Sequence, residues 1–219
     1  MSPPRPPLSP ERIVDAAVAV ADAEGLAGVS MRRVGRELGV EAMSLYHHVE
    51  GKDALLDALV ERVFTQIATP TVGAPWRAAM ASRAESARAV LSAHPWGLGL
   101  IESRRNPGPA LLADHDAVIG CLRAAGFSVA LAAHAFSVLD AYVYGFVVTE
   151  LNLPFEPDEG AEEYVAAIAD VLDPAAFPHL AEMIGEQVVG GGYDYADEFG
   201  FGLTLILDGI ERHHRAERS

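Results

Sequence analysis

Apolar residues recur at helical spacing along nearly all of the 219 residues, whereas alternating runs of Val, Ile and Thr hardly occur. Glycine and proline separate the helical runs, for example at residues 106–109 and 190–192. The first helix has a clear start, because Ser9, Pro10 and Glu11 have the order of an N-cap, a proline in the first turn and an acid beside it. This pattern predicts an all-α fold.

The helix breaks also predict how the chain is divided. Residues 1–8 are rich in proline and are expected to form a flexible arm. Residues 69–75 contain two prolines and a glycine without a helical period, so we expect one helical unit over 9–68 and a second over 76–219. Within the second unit the pattern predicts helices at 76–93, 96–105, 109–125, 128–152, 160–172, 175–188 and 193–215.

Composition excludes several classes of protein. Hydrophobic residues make up 50% of the chain, which is too many for a disordered protein. The single cysteine, Cys121, excludes a disulfide framework, and the first residues lack the apolar run of a signal peptide, so we expect a cytoplasmic protein. Residues 124–149 are apolar enough for a membrane span, but they include Asp140 and are rich in Ala, Ser and Gly. We therefore expect a buried bundle helix there, and no membrane partner.

Residues 30–52 have the spacing of a helix-turn-helix. Two short helices are predicted, one at 31–38 with Ser30 as its N-cap and one at 41–49, and a longer one from 51 to about 67. Gly39 can take a positive φ in the tight turn, and the inward positions are Val34, Leu38, Val40, Leu45 and Val49. The outward face of the second short helix carries small, polar and aromatic groups suited to base edges and phosphates, namely Ala42, Met43, Ser44, Tyr46, His47 and His48.

The charge distribution favours a local nucleic-acid footprint. The chain carries a formal charge of −15, yet residues 30–52 carry +1, so the remainder carries −16. An acidic body behind this segment would orient it toward DNA. Helix-turn-helix geometry also occurs in proteins that bind no DNA, so a helical adaptor that binds only protein is an alternative.

An enzyme is the less favoured alternative. The sequence has no nucleophile elbow, no HExxH and no glycine-rich phosphate loop. Neighbouring residues on a helix point about 100° apart, so His47 and His48 are poorly placed to share one metal ion. We therefore predict no catalytic residues, no metal site and no cofactor.

Three segments carry a resemblance to a known family. Gly39-Val40-Glu41, the run from Leu45 to Val49 and Gly51-Lys52-Asp53 resemble the DNA-binding domain of the TetR family of ligand-responsive repressors, over about residues 8–64. Residues 122–128, Tyr144-Gly145 and 199–209 more loosely resemble the C-terminal domain of the tetracycline-repressor-like branch. The resemblance implies a transcriptional repressor that binds a palindromic operator as a homodimer and is released by a small-molecule effector.

The resemblance also implies which residues contact DNA. Arg32 would reach a guanine edge, residues 42–44 would face bases, and Tyr46 and His48 would hold phosphates. His47 stands where the tetracycline repressor has a tryptophan, and Lys52 would meet a phosphate at a helix N-terminus. The full set of predicted DNA-binding residues is Arg32, Arg33, Ala42, Met43, Ser44, Tyr46, His47, His48 and Lys52. For Tyr46, a half-buried packing role is the alternative.

Two further sets of residues follow from the resemblance. A four-helix dimer interface would use Val138, Ala141, Tyr142, Gly145, Val148, Phe199, Leu203, Ile206, Leu207 and Ile210; the alternative is that the last helix is an intramolecular core helix. A ligand pocket would use Trp96, Ile101, Glu102, Arg105, Phe136, Asp140, Tyr144 and Met183. The histidine and glutamate that help the tetracycline repressor hold magnesium–tetracycline fall near Glu102 and Thr149 here, so tetracycline itself is not expected.

Overall fold

The computed structural model describes residues 6–103, 108–153, 165–166, 172–189 and 193–219. These residues form helices and no strand, which confirms the all-α prediction. The first group is α1 (Pro10–Gly28), α2 (Met31–Leu38), α3 (Ala42–Leu45) and α4 (Lys52–Phe64). The second group is α5 (Trp76–Ala93), α6 (Trp96–Ser103), α7 (Pro109–Ala124), α8 (Val129–Leu151), α9 (Pro178–Met183) and α10 (Tyr195–Glu217).

Helices α1 to α4 form the part of the molecule that we call the head. The predicted caps are present: the Ser9 hydroxyl accepts the Arg12 amide, and the Ser30 hydroxyl accepts the Arg33 amide at 3.2 Å. Helix α1 continues to Gly28 across one non-helical residue, Gly25 (φ 67°). Helix α2 has the predicted bounds.

Helices α5 to α10 form the part that we call the body. Helix α8 packs against α5, α7 and α10, and a loop at residues 65–75 connects the head to α5. One continuous apolar core extends from Ile13 in the head, through Val63 and Leu100, to Phe146 and Leu207 in the body. Head and body are therefore packed against each other.

Two predicted elements differ from the structure. Helix α3 stops at Leu45, because the amide of His48 bonds to the Leu45 carbonyl three residues back and the helix gives way to a turn. The helix predicted at 175–188 begins at Pro178 and changes at Ile184 into a π-helical segment that ends at Val189. The helix predicted at 160–172 lies largely outside the described residues, and so do residues 1–5 of the arm predicted at 1–8.

Helix α8 is the described helix that is long and apolar enough to cross a membrane by length and composition alone. In this fold it packs on three other helices, and its Asp140 is bonded to Arg83 of α5. These contacts are those of a central bundle helix, as expected from the sequence.

Candidate DNA-binding surface and its regulatory body

The turn between α2 and α3 is built by two glycines. Gly39 adopts the left-handed conformation (φ 67°, ψ 36°), and the Val40 amide donates to the Gly35 carbonyl at 2.9 Å, which closes the end of α2. A Cβ at Gly35 would lie 2.9 Å from the Val40 carbonyl oxygen and 3.3 Å from the Ala42 nitrogen. Gly35 thus permits the close crossing of α2 and α3. Sequence reasoning missed it, although a glycine inside a predicted helix is the available signal.

The outward side of α3 and of the turn after it is exposed. Met43 is 71% exposed and Tyr46 is 49% exposed, and His47 and His48 are also exposed. Beneath them, Leu45 and Val49 are buried in the core, as predicted. Ala42 and Ser44 are half-buried, and Arg32 and Lys52 are exposed on α2 and α4. We call the exposed and half-buried residues of this side, from Ala42 to His48, the reading face.

Arg33 differs from the other predicted DNA-binding residues. Its guanidinium donates to Glu24 of α1 and to Glu37 of α2, each at 2.8 Å. The hydrogen bonds to Glu37 and Glu24 raise the pKa of Arg33. Because both partners belong to the head, we assign Arg33 a structural role, which is to hold α2 against α1. The two carboxylates also neutralise its positive charge, so less of that charge is available to a DNA phosphate.

A polar junction connects the head to the body. The Trp96 indole N–H at the start of α6 donates to Asp22 Oδ1 of α1 at 2.6 Å, and His94 Nδ1 lies 2.8 Å from the same oxygen. Trp96 was predicted for the ligand pocket. Its indole N–H is instead bonded to Asp22 of the head, which makes Trp96 part of this junction. Asp22 and His94 were missed because they are 72 residues apart in sequence, and no local pattern indicates their contact.

Three charged side chains meet in the interior of the body. Arg83 of α5 binds both oxygens of Asp114 of α7, at 3.1 and 2.6 Å, and Asp140 of α8 at 2.7 Å. Burial by itself lowers the pKa of Arg83, but the two carboxylates outweigh it and the net pKa is raised. Asp140, predicted for the ligand pocket, thus serves as an ion-pair partner that joins α8 to α5, and Arg83 and Asp114 were missed.

The remaining pocket candidates differ in how deeply they are buried. Ile101, Phe136 and Tyr144 are half-buried, and the Phe136 ring lies 4.6 Å from the His115 ring. Met183 of α9 is 47% exposed. The Glu102 side chain and Arg105 lie outside what the structure describes. No group of three or more His, Cys, Asp or Glu suited to a metal ion occurs among the described residues.

The predicted dimer residues divide into two groups. Val138 and Val148 of α8 are exposed, as are Ala141 and Gly145, whereas Tyr142 and Ile206 are half-buried. The stripe predicted on the last helix is instead buried within the chain itself, because Phe199, Leu203, Leu207 and Ile210 are all in the core. The Tyr142 hydroxyl likewise donates to the Phe199 carbonyl at 2.8 Å, across α8 and α10.

The opposite side of α10 carries two residues that the sequence analysis missed. Phe201 is 66% exposed and Leu205 is 56% exposed. The sequence does carry a signal for them, because α10 has apolar residues on two sides. A helix that buries one side in a core needs an apolar stripe on that side only. We use the name outer apolar face for four exposed apolar residues of these two helices, namely Val138 and Val148 of α8 and Phe201 and Leu205 of α10.

A helix-turn-helix with an exposed reading face, joined to a helical body by a shared core, defines a DNA-binding transcriptional regulator. Family comparison gives the same class. Residues 13–59 match the family of bacterial regulatory proteins of the TetR type, and residues 69–214 match the tetracycline repressor-like C-terminal domain. The chain belongs to the TetR family of ligand-responsive transcriptional repressors, and the family predicted from the sequence is confirmed.

Individual relatives agree with this assignment. The transcriptional repressor DrrR1 of Streptomyces coeruleorubidus is 36% identical over 217 residues, which cover 95% of this chain and 79% of the relative. The class C tetracycline repressor protein of Escherichia coli is 30% identical over 94% of this chain and 91% of its own length. Among solved structures, Streptomyces coelicolor ActR in complex with actinorhodin has a TM-score of 0.77 at 27% identity, covering 95% of this chain and 97% of that one.

Proposed function

We propose that the protein binds a palindromic operator as a homodimer and that a small-molecule effector bound in the body releases it. The observation that carries the DNA-binding part is the reading face, where Met43, Tyr46, His47 and His48 are exposed above a buried Leu45. Buried residues fix the position of the helix while its outer side chains are free to contact bases. The protein has no catalytic role in this proposal, and it acts in the cytoplasm with no membrane partner.

On DNA, α3 would lie in the major groove. Ala42, Met43 and Ser44 would face base edges, and Tyr46 and His48 would contact phosphates on either side. Lys52 is exposed at the start of α4, where Gly51 provides no side-chain cap and the first backbone amides can face a phosphate. Two such heads would occupy half-sites roughly 34–36 Å apart.

The outer apolar face supports dimerisation. Phe201, Leu205, Val138 and Val148 are each at least 43% exposed, although large apolar side chains are usually covered in a bundle. A second copy of the chain placed on α8 and α10 would cover them with an identical surface, and twofold symmetry is what a palindromic operator requires. The buried residues of α10, which include Phe199 and Leu203, would then hold this helix in place within each protomer.

The effector would bind in the body, among the helices α5 to α8. Ile101, Phe136 and Tyr144 are half-buried there and provide apolar and aromatic surface. ActR has been solved with actinorhodin, so that compound is a suitable first probe. Neither the Glu102 nor the Thr149 position repeats the histidine and glutamate expected from the tetracycline repressor, so the proposed effector binds without magnesium.

The experiment is a fluorescence-anisotropy titration with DNA from upstream of the protein's own gene and of its neighbours, at a stated salt concentration. We expect tight binding to one fragment, weaker binding to shuffled DNA and a steep loss of affinity with salt. Actinorhodin and tetracycline are then added separately, and the first is the one expected to release the DNA. Binding to none of the fragments would contradict the proposal and favour the protein-binding adaptor, whereas equal binding to all of them would contradict the proposed operator specificity.

A further inference from the structure

Helix α7 starts without a cap of its own. Its N-cap residue is Gly108, which has no side chain, and Pro109 follows it in the first turn. The next amide, that of Ala110, donates to Glu61 Oε2 of α4 at 2.8 Å. An amide in this position is normally satisfied by the side chain of the N-cap residue itself. Here the cap comes from another helix, 49 residues earlier in the sequence.

Gly108 is required for this arrangement. A Cβ at position 108 would overlap Glu61 Oε1 and Cδ far inside van der Waals contact. Any other residue at 108 would therefore displace the carboxylate from the start of α7. Gly108 thus has two effects: it gives α7 no side-chain cap of its own, and it leaves the space that the Glu61 carboxylate occupies.

The carboxylate is also held at a cost. Glu61 Oε1 is buried and has no hydrogen-bond partner among the described residues. A glutamate on a free helix surface would turn both oxygens toward water, since an unsatisfied buried oxygen is unfavourable. Its position is explained by the neighbouring amide of Ala110 and the positive end of the α7 dipole, which favour a negative charge there.

This contact joins the two halves of the protein. Helix α4 follows the reading face directly, because it begins at Lys52, whereas α7 supplies Asp114 to the buried ion group of the body. We propose that Glu61, through Ala110, is a positioning residue that fixes the angle of α4 against α7, and through α4 the orientation of the reading face. The proposal rests on the proposed function, since the orientation matters only if the face binds DNA.

The first test needs no DNA and measures amide hydrogen exchange by mass spectrometry. In Glu61→Ala the amides at the start of α7 are expected to exchange about fivefold faster, because their cap is lost. Amides in the second half of α4 are expected to exchange faster as well, because α4 is no longer fixed to α7. Glu85→Ala, which removes an exposed glutamate of α5, is the matched control and should change neither segment. Exchange that rises in α7 alone would make Glu61 a simple helix cap and would overturn the proposal.

The second test is a double-mutant cycle on DNA affinity, at a temperature where circular dichroism shows every variant to be folded. Glu61→Ala and Gly108→Ala should each weaken DNA binding about fivefold or more. When the orientation of the head varies, a smaller fraction of the molecules has both reading faces placed to bind the operator. The double variant should be no weaker than either single one, because both changes break the same contact. Gly99→Ala in α6, where a Cβ would meet nothing within 4 Å, is the matched glycine control.

The outcomes separate the two claims. Additive losses in the cycle, or unchanged DNA affinity in Glu61→Ala, would overturn the role of Glu61 while leaving the proposed function intact. If the wild-type protein itself binds none of the DNA fragments, the proposed function is wrong. The exchange test then decides alone whether Glu61 couples α4 to α7.

Discussion

At the scale of single residues, glycine 35 sets how closely α2 and α3 cross. Alanine normally favours a helix over glycine by about 1 kcal/mol. Here the added methyl group would lie 2.9 Å from the Val40 carbonyl oxygen, which belongs to the backbone of the turn. We therefore expect Gly35→Ala to lower the free energy of unfolding by about 1–3 kcal/mol, the usual cost of overpacking, and to weaken DNA binding. Urea denaturation measures the first effect, and a stabilised variant would contradict the crossing geometry; Gly99→Ala is the control.

Two exposed cations are expected to contribute differently to DNA binding. Arg32→Ala should weaken operator binding by about 1–3 kcal/mol and relax the preference at one base pair. Lys52→Ala should weaken binding to all sequences alike. It should also make the slope of log K against log salt concentration shallower by about 1, because one phosphate contact is lost. Anisotropy titrations against the operator and single-base variants, at several salt concentrations, measure both effects. Arg33→Ala is a useful comparison. Because Arg33 pairs with Glu24 and Glu37, we expect its loss to lower the stability of the head and to leave the base preference unchanged.

At the scale of elements, the buried group of Arg83, Asp114 and Asp140 holds three helices together. Removing the cation in Arg83→Met would leave two carboxylates without a partner in the interior, and we expect a loss of about 3–5 kcal/mol in the free energy of unfolding. Replacing both aspartates by leucine in the same variant should recover much of that loss. Arg77→Met is the matched control: Arg77 is 37% exposed and pairs with Asp208 and Glu211, so its loss should cost less than about 1 kcal/mol. Equal losses in thermal melts would contradict this ranking.

The same elements show what the sequence could predict. Local signals such as the caps at Ser9 and Ser30, and Gly39 in the turn, fix where α1 and α2 begin and where α2 ends, and these predictions agree with the structure. Contacts between distant residues are different, because a helical period indicates that a residue is buried without indicating its partner. This is why Asp140 was predicted as a pocket residue and Arg83 was missed. Phe199 and Leu203 were placed on a dimer interface for the same reason, since a buried stripe faces another helix of either chain.

At the scale of the whole molecule, the outer apolar face is expected to hold two protomers together. Leu205→Asp, or Phe201→Asp, would bury a carboxylate in that interface, so we expect a shift from dimer to monomer and a large loss of operator affinity. Analytical ultracentrifugation measures the assembly state. Leu112→Asp places the same charge on an exposed leucine of α7 and should leave the dimer intact. A Leu205→Asp variant that remains dimeric would move the interface elsewhere.

The apolar core that continues from Ile13 to Leu207 has a consequence for how such proteins can be recombined. Val63 of α4 lies in that core, and a Cβ at Gly97 of α6 would lie 3.8 Å from it, so the DNA-contacting part is built into its neighbour. Cutting the chain after residue 68 would expose Val63, Phe64 and Ile67 to water, and the fragment would tend to aggregate. Chimaeras that exchange operator specificity between relatives should therefore transplant α2 and α3 alone, and keep α4 with the scaffold against which it evolved.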